Sequence, residues 1–175
     1  MRIIAGEFKS RIIKSPRGRR THPMSEKIRG ALFNSIGNIE GQTFLDAFAG
    51  SGAVAIEALS RGAVDIHAVE ISADCFEVLK ANRDKITTEE YLQVHRANIK
   101  TWLKNVEIYF DIVLADPPYD AVSMNALDVV AAYVKIDGLL IVSLPPAEHM
   151  KLPNFVKLDE KRYGNAKLVF YRRKK

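Results

Sequence analysis

From residue 43 onward, short apolar runs alternate with segments whose apolar positions recur at helical spacing. The short runs predict strands, because a buried strand needs only about four to eight apolar residues and a helix needs more. They lie near residues 43–46, 65–70, 91–95, 110–115 and 138–143. The helical segments lie near residues 52–61, 73–85, 99–104 and 122–134. This alternation predicts an α/β fold with a mostly parallel sheet and right-handed crossovers.

The two ends of the chain follow other patterns. Residues 2–4 and 11–13 favour a β-hairpin. Ser25 can cap a helix that runs to about Ile36 with its apolar residues on one face. Residues 155–171 predict an antiparallel hairpin added to the sheet edge, which brings the sheet to seven strands. We expect one domain, in which a basic extension with hairpin and helix (1–37) precedes the α/β core (38–175).

The composition is that of an ordinary soluble protein, with 47% apolar and 27% charged residues. The longest apolar stretches fall well short of the roughly 20 residues that cross a bilayer, so we expect no membrane partner. Charged residues follow the first six positions at once, without a signal-peptide core, and this favours a cytoplasmic protein.

Cys75 is the single cysteine, which excludes an internal disulfide. A monomer is the default expectation for one compact domain.

The net charge of +5 is unevenly distributed. Residues 1–29 carry nine Lys or Arg against Glu7 and Glu26, so this segment sums to +7 and the remainder to −2. A second basic cluster occupies residues 172–175. A nearly neutral body with a basic arm is typical of a protein that binds a polyanion. A solubilising tail is the alternative interpretation.

A glycine-containing loop follows the first predicted strand of the core. Its sequence is Asp46-Ala47-Phe48-Ala49-Gly50-Ser51-Gly52, and a helix begins directly after it. The glycines allow a sharp turn and a close approach of a ligand to the backbone. Glu70 ends the next strand, twenty positions after Gly50, where a carboxylate can bind both hydroxyls of a ribose. The pattern indicates a cofactor that contains a nucleoside.

The loop does not by itself name that cofactor. Gly50, Gly52 and Ala55 also satisfy the dinucleotide motif of an NAD-dependent oxidoreductase. Asp46 argues against NAD, because its negative charge is unfavourable beside a pyrophosphate and favourable beside a cationic aminosulfonium. The lack of a second domain to hold a hydride acceptor argues in the same direction.

The string Asp116-Pro117-Pro118-Tyr119 directly follows the strand predicted at 110–115. Ligands of open α/β sheets bind at the carboxyl ends of such strands. Asp116 offers a carboxylate acceptor, and Pro117 stands before another proline, which restricts its backbone and aims its carbonyl. Tyr119 offers a face on which a base can stack. Two acceptors and a stacking ring suit an exocyclic amine on a flat base, and this suggests an amino-methyltransferase.

Asn98 has two possible roles, and the histidines bear on the question of a metal site. Asn98, after the third core strand, can accept a hydrogen bond from an adenine amine or can cap the next helix. His22 and His95 lack partners at metal-ligand spacing, so we predict no metal.

Together these residues resemble the class I S-adenosylmethionine-dependent methyltransferases, and more narrowly the RsmD family. The resemblance covers nearly the whole chain. It includes 2–6, Pro23, 29–34, 46–52, 57–63, 116–119 and 163–164. The family often has Arg-Pro-Thr before its first helix, where this chain has His22-Pro23-Met24, so Arg19, Arg20 or His22 would have to supply the missing arginine's contact.

The resemblance implies a Rossmann-like fold and methylation of the exocyclic N2 of a guanine in bacterial 16S ribosomal RNA, with S-adenosylmethionine as cofactor. The implied partner is this RNA within the small ribosomal subunit or an assembly intermediate. The catalytic residues would be Asp116, Pro117, Pro118 and Tyr119. The cofactor-binding residues would be Asp46, Phe48, Ala49, Gly50, Ser51, Gly52, Glu70, Ile71, Asn98 and Asp116. The RNA-binding residues would be Arg11, Arg17, Arg19, Arg20, His22 and Arg29.

Two other functions fit the same residues. An adenine-N6 methyltransferase acting on DNA or RNA would use the same four-residue string. A non-catalytic RNA-binding assembly factor would keep the fold and the basic arm, but it would have no need of Asp116 and Tyr119.

Overall fold

The computed structural model describes residues 1–16, 24–118, 123–164 and 166–175. A seven-stranded sheet forms its centre, in the order β3-β2-β1-β4-β5-β7-β6. The strands are β1 (Thr43–Asp46), β2 (Val64–Glu70), β3 (Leu92–Arg96), β4 (Phe110–Ala115), β5 (Val134–Leu144), β6 (Phe155–Tyr163) and β7 (Ala166–Arg173). The first five are parallel, whereas β7 pairs antiparallel with both β5 and β6. The predicted mostly parallel sheet with a C-terminal hairpin is confirmed.

Five helices pack on the sheet within the described part of the chain. They are α1 (Glu26–Ile36), α2 (Ala53–Ser60), α3 (Ala73–Ile86), α4 (Ile99–Leu103) and α5 (Met124–Ala132). The predicted cap of α1 is confirmed, since the Ser25 side chain accepts a hydrogen bond from the N–H of Ile28. Asn98 caps α4 in the same way by accepting from the N–H of Lys100.

Alternate strand residues divide the core into two layers. In β1, Phe44 packs on the face covered by α1, α2 and α3, whereas Leu45 packs on the face covered by α4 and α5. This follows from the two-residue period of a strand, and it makes both faces of the sheet apolar. None of the helices in the described residues is both long and apolar enough to span a membrane.

Strand β5 is longer than the sequence pattern predicts. It begins at Val134 rather than near residue 138, and α5 ends at Ala132. The pair Asp137-Gly138 is typical of a turn, but here it forms a bulge: the register with β4 shifts between Phe110 and Ile112. A Cβ on Gly138 would lie 2.9 Å from the carbonyl oxygen of Asp111, so only glycine fits this irregularity without a shift of the backbone.

The N-terminal segment pairs with itself and joins the main core. The N–H of Ile3 donates to the carbonyl of Arg11, and the N–H of Ser10 donates to the carbonyl of Ile3. The pairing is antiparallel, as predicted, but it is limited to a bridge between Arg2 and Ile12 and does not form full strands. Ile3 and Ile13 are buried in the same cluster as the sheet residues, so the segment is packed against the body.

Candidate active site

The strand order brings the carboxyl ends of β1 and β4 side by side. From β1 the strand order runs through β2 to β3 towards one edge of the sheet, and β4 and β5 lie towards the other edge. The strand order therefore reverses between β1 and β4. Open α/β sheets bind ligands in the crevice at such a switch point. Asp46 is the last residue of β1, and Asp116 follows the last residue of β4. The two aspartates predicted from separate motifs therefore lie at one crevice.

The glycine loop makes the sharp turn that the sequence predicts. Gly50 and Gly52 have φ angles of 55° and 77°, in the left-handed region that favours glycine. The N–H of Gly52 donates to the carbonyl of Ala49 at 2.7 Å, which closes the turn directly before α2. A Cβ on Gly52 would lie 2.4 Å from Cδ1 of Leu79 in α3, whereas a Cβ on Gly50 would meet open space. Both positions favour glycine through their positive φ; a Cβ at Gly52 would in addition displace the end of the Leu79 side chain, and Gly50 leaves its backbone accessible.

Glu70 is held at the end of β2 by two backbone groups. Its Oε2 accepts from the N–H of Gly50 at 2.8 Å, and its Oε1 accepts from the N–H of Ser72 at 2.7 Å. Each carboxylate oxygen keeps a further lone pair with which it can accept from a hydroxyl. Ile71, the next residue, is 62% exposed and presents an apolar surface beside this carboxylate.

Asp46 is buried close to two other acidic groups. Burial, and then the charges of Asp116 and Glu70, raise the pKa of Asp46 from 3.8 to about 7, although backbone N–H groups of Ala55 and Phe48 act in the opposite direction. Its Oδ2 has no hydrogen-bond partner among the described residues. A buried carboxylate oxygen without a donor is unfavourable by itself. The arrangement suits a ligand that brings positive charge or hydrogen-bond donors.

Asp116 is half-buried at the end of β4. Burial raises the pKa of its carboxyl group, and a hydrogen bond with the Ser143 side chain from β5 opposes that shift. Pro117 is buried and Pro118 is exposed. Tyr119, the fourth residue of the string, lies outside the described residues. The strand therefore places an acidic group and a rigid backbone at the rim of the crevice.

Phe48, Ala49 and Ser51 all lie in the turn between β1 and α2, as the loop's sequence requires. Asn98 is exposed, and its Oδ1 accepts from the N–H of Lys100 at 3.0 Å. Of its two interpretations, the helix cap is confirmed. The contact of Asn98 with an adenine stays a prediction.

The prediction that Arg29 faces an RNA is wrong. Its side chain is 0% exposed and lies beside the equally buried Glu57, with Nε and Oε2 3.5 Å apart. Its guanidinium also donates to the carbonyl of Arg2. Helical spacing placed Arg29 off the apolar face of α1, but it could not show that the N-terminal segment covers that side. Arg29 is a structural residue that joins this segment to α2.

The other predicted RNA contacts are only partly described. Arg11 is exposed, with its guanidinium carbon 5.3 Å from the centre of the Phe8 ring. Arg17, Arg19, Arg20 and His22 lie outside the described residues. Their role stays a prediction.

His95 lies in β3 in a cluster of rings. Its Nε2 is 3.0 Å from Nδ1 of His67, and its ring is 4.7 Å from that of Trp102. Burial, and then the charge of His67, lower the pKa of His95 to about 4, so the ring is neutral at physiological pH. The two histidines belong to the packing of β2 and β3.

Three residues of this region were not predicted from the sequence. Ser143 contacts Asp116, Glu57 binds the N-terminal backbone, and Asn82 contacts the glycine loop. Each is a polar residue within an otherwise apolar strand or helix face. Such a residue signals a buried hydrogen bond, but it does not identify the partner.

Comparison with known proteins identifies the family. The family model described as Conserved hypothetical protein 95 matches residues 1–172. The chain belongs to this family, the RsmD methyltransferases. The match includes the N-terminal segment as well as the α/β core, so the family assignment does not rest on the widely shared glycine loop alone.

Individual relatives agree with this assignment. YlbH of Bacillus subtilis (strain 168) is 30% identical over 99% of this chain and 100% of that protein. Ribosomal RNA small subunit methyltransferase D of Buchnera aphidicola subsp. Baizongia pistaciae is 36% identical in a match that covers 68% of this chain and 61% of that protein. The solved structure of YhhF from Escherichia coli has a TM-score of 0.88 at 26% identity, covering 99% of this chain and 98% of that one. The Rossmann-like methyltransferase fold is therefore confirmed.

Proposed function

We propose that this RsmD-family protein transfers a methyl group from S-adenosylmethionine to the exocyclic N2 amine of a guanine in 16S ribosomal RNA of the small subunit. Family membership and the similarity to the ribosomal RNA small subunit methyltransferase D of Buchnera support ribosomal RNA methylation. The choice of guanine N2 and of the small subunit as substrate goes further and is the part to be tested.

The observation that carries the proposal is the meeting of three carboxyl groups at one crevice. The charges of Asp116 and Glu70 both act on Asp46, whose pKa rises to about 7. Three acidic groups in a partly desolvated site repel one another and attract a cation. S-adenosylmethionine, which supplies a methyl group on a positively charged sulfonium, fits this electrostatic environment better than NAD does.

The residues of the crevice can hold each part of this cofactor. Glu70 would accept from the ribose hydroxyls with its remaining lone pairs, and Ile71 would pack against the adenine. The accessible backbone at Gly50 allows a close approach. The Oδ2 of Asp46, which has no partner among the described residues, would interact with the positively charged end of the cofactor.

Asp116 and Pro117 would hold the target amine. The Asp116 carboxylate and the Pro117 carbonyl would accept its two hydrogens, which favours a pyramidal nitrogen with its lone pair directed at the methyl group. As the new C–N bond forms and the C–S bond breaks, Asp116 would balance the positive charge that builds on the nitrogen. Tyr119 would stack on the base after it leaves the RNA helix.

The test is transfer of a labelled methyl group from S-adenosylmethionine to small ribosomal subunits from cells that lack the enzyme, followed by nucleoside analysis. The expected product is N2-methylguanosine. Label in N6-methyladenosine would overturn the target base while keeping the reaction. Absence of label with the cofactor bound would overturn the proposed reaction and favour a non-catalytic RNA-binding factor.

A further inference from the structure

Asn82 connects two parts of the protein that the proposed function uses separately. It lies in α3 and is 0% exposed. Its Oδ1 accepts from the N–H of Lys14 at 2.8 Å, and its Nδ2 donates to the carbonyl of Lys14 at 2.9 Å. The same Nδ2 donates to the carbonyl of Ser51 at 2.9 Å. One buried amide thus uses its acceptor and both donors on two distant segments.

The two segments have different roles. Ser51 belongs to the glycine loop, at the cofactor side of the crevice. Lys14 lies in the N-terminal segment, three positions before Arg17, the first of the predicted RNA-binding residues at 17–22. Lys14 is therefore a point at which the backbone that leads to this stretch is held on the body.

Neighbouring contacts make α3 the common support of both segments. Nζ of Lys85 donates to the carbonyl of Ile12 at 2.7 Å, and Ile13 is 1% exposed within the core. On the loop side, Leu79 packs against Gly52, where a Cβ would lie 2.4 Å from Cδ1 of Leu79. Asn82 is the one of these residues that bonds to both segments at once.

The energetics make this contact a link as well as a packing element. A buried carbonyl or N–H that loses its hydrogen-bond partner is destabilised, so a shift of either segment away from Asn82 is unfavourable. A movement of the glycine loop that alters the bond at Ser51 therefore changes the position at which the amide best holds Lys14. The two segments share one set of hydrogen-bonding groups.

We propose that Asn82 is a positioning residue that holds the backbone at Lys14 and couples it to the glycine loop, so that cofactor binding and RNA binding strengthen each other. This inference rests on the proposed function, since it takes residues 17–22 to bind RNA. Coupling of this kind is reciprocal: RNA tightens cofactor binding by the same factor by which cofactor tightens RNA binding.

The first test measures the affinity for S-adenosylhomocysteine with and without the small subunits used in the transfer assay. The wild-type protein should bind it at least about fivefold more tightly in their presence, the low end of common coupling factors. Asn82→Leu, which fills the space and removes all three bonds, should bring this factor close to one. Ile86→Ala is the matched control, because it removes a buried side chain one turn further along α3 but no side-chain hydrogen bond to either segment. It should keep the wild-type factor.

The second test needs no RNA and so separates this inference from the proposed function. Adding S-adenosylhomocysteine to the wild-type protein should slow hydrogen exchange at the amide of Lys14. The same addition should have no such effect in Asn82→Asp, which keeps the acceptor for Lys14 and loses both donated bonds; this variant also serves if Asn82→Leu does not fold. An unchanged coupling factor in Asn82→Leu, a factor of one in the wild type, or unaltered exchange at Lys14 would each overturn the coupling. Wild-type protein that shows the exchange effect but does not bind the subunits would instead overturn the proposed substrate.

Discussion

Three acidic side chains at one crevice give this protein a site whose charge is unfavourable without a ligand. Asp46 and Asp116 both have raised pKa values, in each case chiefly through burial. Glu70 adds negative charge near Asp46 while its own oxygens are held by backbone N–H groups. A protein that keeps such a cluster loses stability at neutral pH and gains affinity for a cationic ligand.

The pH dependence of stability should reveal Asp46. Its pKa is raised from 3.8 to about 7 on folding, so its stabilising contribution is complete below pH 3.8 and is lost as the pH rises through about 7. Without ligand, the melting temperature of Asp46→Asn relative to that of the wild type should rise by several degrees between about pH 5 and roughly pH 8, because only the wild type has a carboxyl group that must ionise in the buried site. Thermal melts of both proteins across this range test the sign.

The same substitution should weaken binding of S-adenosylmethionine by about tenfold or more, because a neutral amide cannot balance the positive charge. Asp128→Asn, at an exposed carboxylate of α5, is the control and should change neither property. A melting difference independent of pH would contradict the role assigned to Asp46.

Asp116 should matter for turnover more than for cofactor binding. Asp116→Ala removes the acceptor for the target amine, and we expect kcat to fall by roughly 10²–10³-fold, as when one group that stabilises transition-state charge is lost. Affinity for S-adenosylhomocysteine, measured by calorimetry, should stay within about threefold of the wild-type value. A near-normal kcat would rule out the proposed role of this carboxylate.

At the level of secondary-structure elements, the turn between β1 and α2 depends on two glycines for different reasons. Both have positive φ, but the space beside Gly52 is occupied by Leu79, and the space beside Gly50 is open. Position 52 therefore serves the packing of α2 on α3, and position 50 serves the approach of a ligand.

Alanine substitutions at these two positions should separate the two effects. Each costs roughly 1 kcal/mol or more of stability through the positive φ. Gly52→Ala should be the less stable of the pair, because the added methyl group overlaps Leu79. Gly50→Ala should show the larger loss of cofactor affinity relative to its loss of stability. Denaturant unfolding and titration with S-adenosylhomocysteine measure both, and equal profiles for the two variants would contradict this division.

At the scale of the whole molecule, the N-terminal and C-terminal basic clusters differ in their position on the sheet and in their hydrogen bonds to the backbone. In the C-terminal cluster, Arg172 donates to the carbonyl of Asp137, and Arg173 donates to that of Ala132. These groups lie at the start of β5, the end of the sheet opposite the crevice. Arg11 is exposed like Arg172, but it lies in the N-terminal segment, which precedes the predicted RNA-binding stretch.

The salt dependence of RNA binding should follow this difference. Replacing Arg17, Arg19 and Arg20 together by Ala should lower the slope of log K against log salt concentration by about two, for three phosphate contacts with a single strand. Replacing Lys174 and Lys175 by Ala, the control, should leave the slope unchanged. Filter-binding measurements across a series of salt concentrations give both slopes, and an equal reduction by the two sets would contradict a specific role for the N-terminal arm.

Local patterns in the sequence were sufficient to predict most of the fold and the location of the site. The limits of β1 and β4 and the cap of α1 agree with the prediction, because apolar periodicity and capping depend on neighbouring residues. The glycine loop and Asp116 were placed at strand ends for the same reason. The start of β5 was predicted four residues too late, since the irregular pairing of its first residues with β4 leaves no local pattern in the sequence.

The tertiary structure decided how polar groups are used once they are buried. Arg29 is paired with Glu57, Asp46 has a pKa of about 7, and Asn82 bridges Lys14 and Ser51. These partners, with Asp116 and Glu70 as those of Asp46, lie 24 to 70 positions apart in the chain. Desolvation and hydrogen bonding between such residues exist only after the chain has folded, so no local pattern of the sequence could predict them.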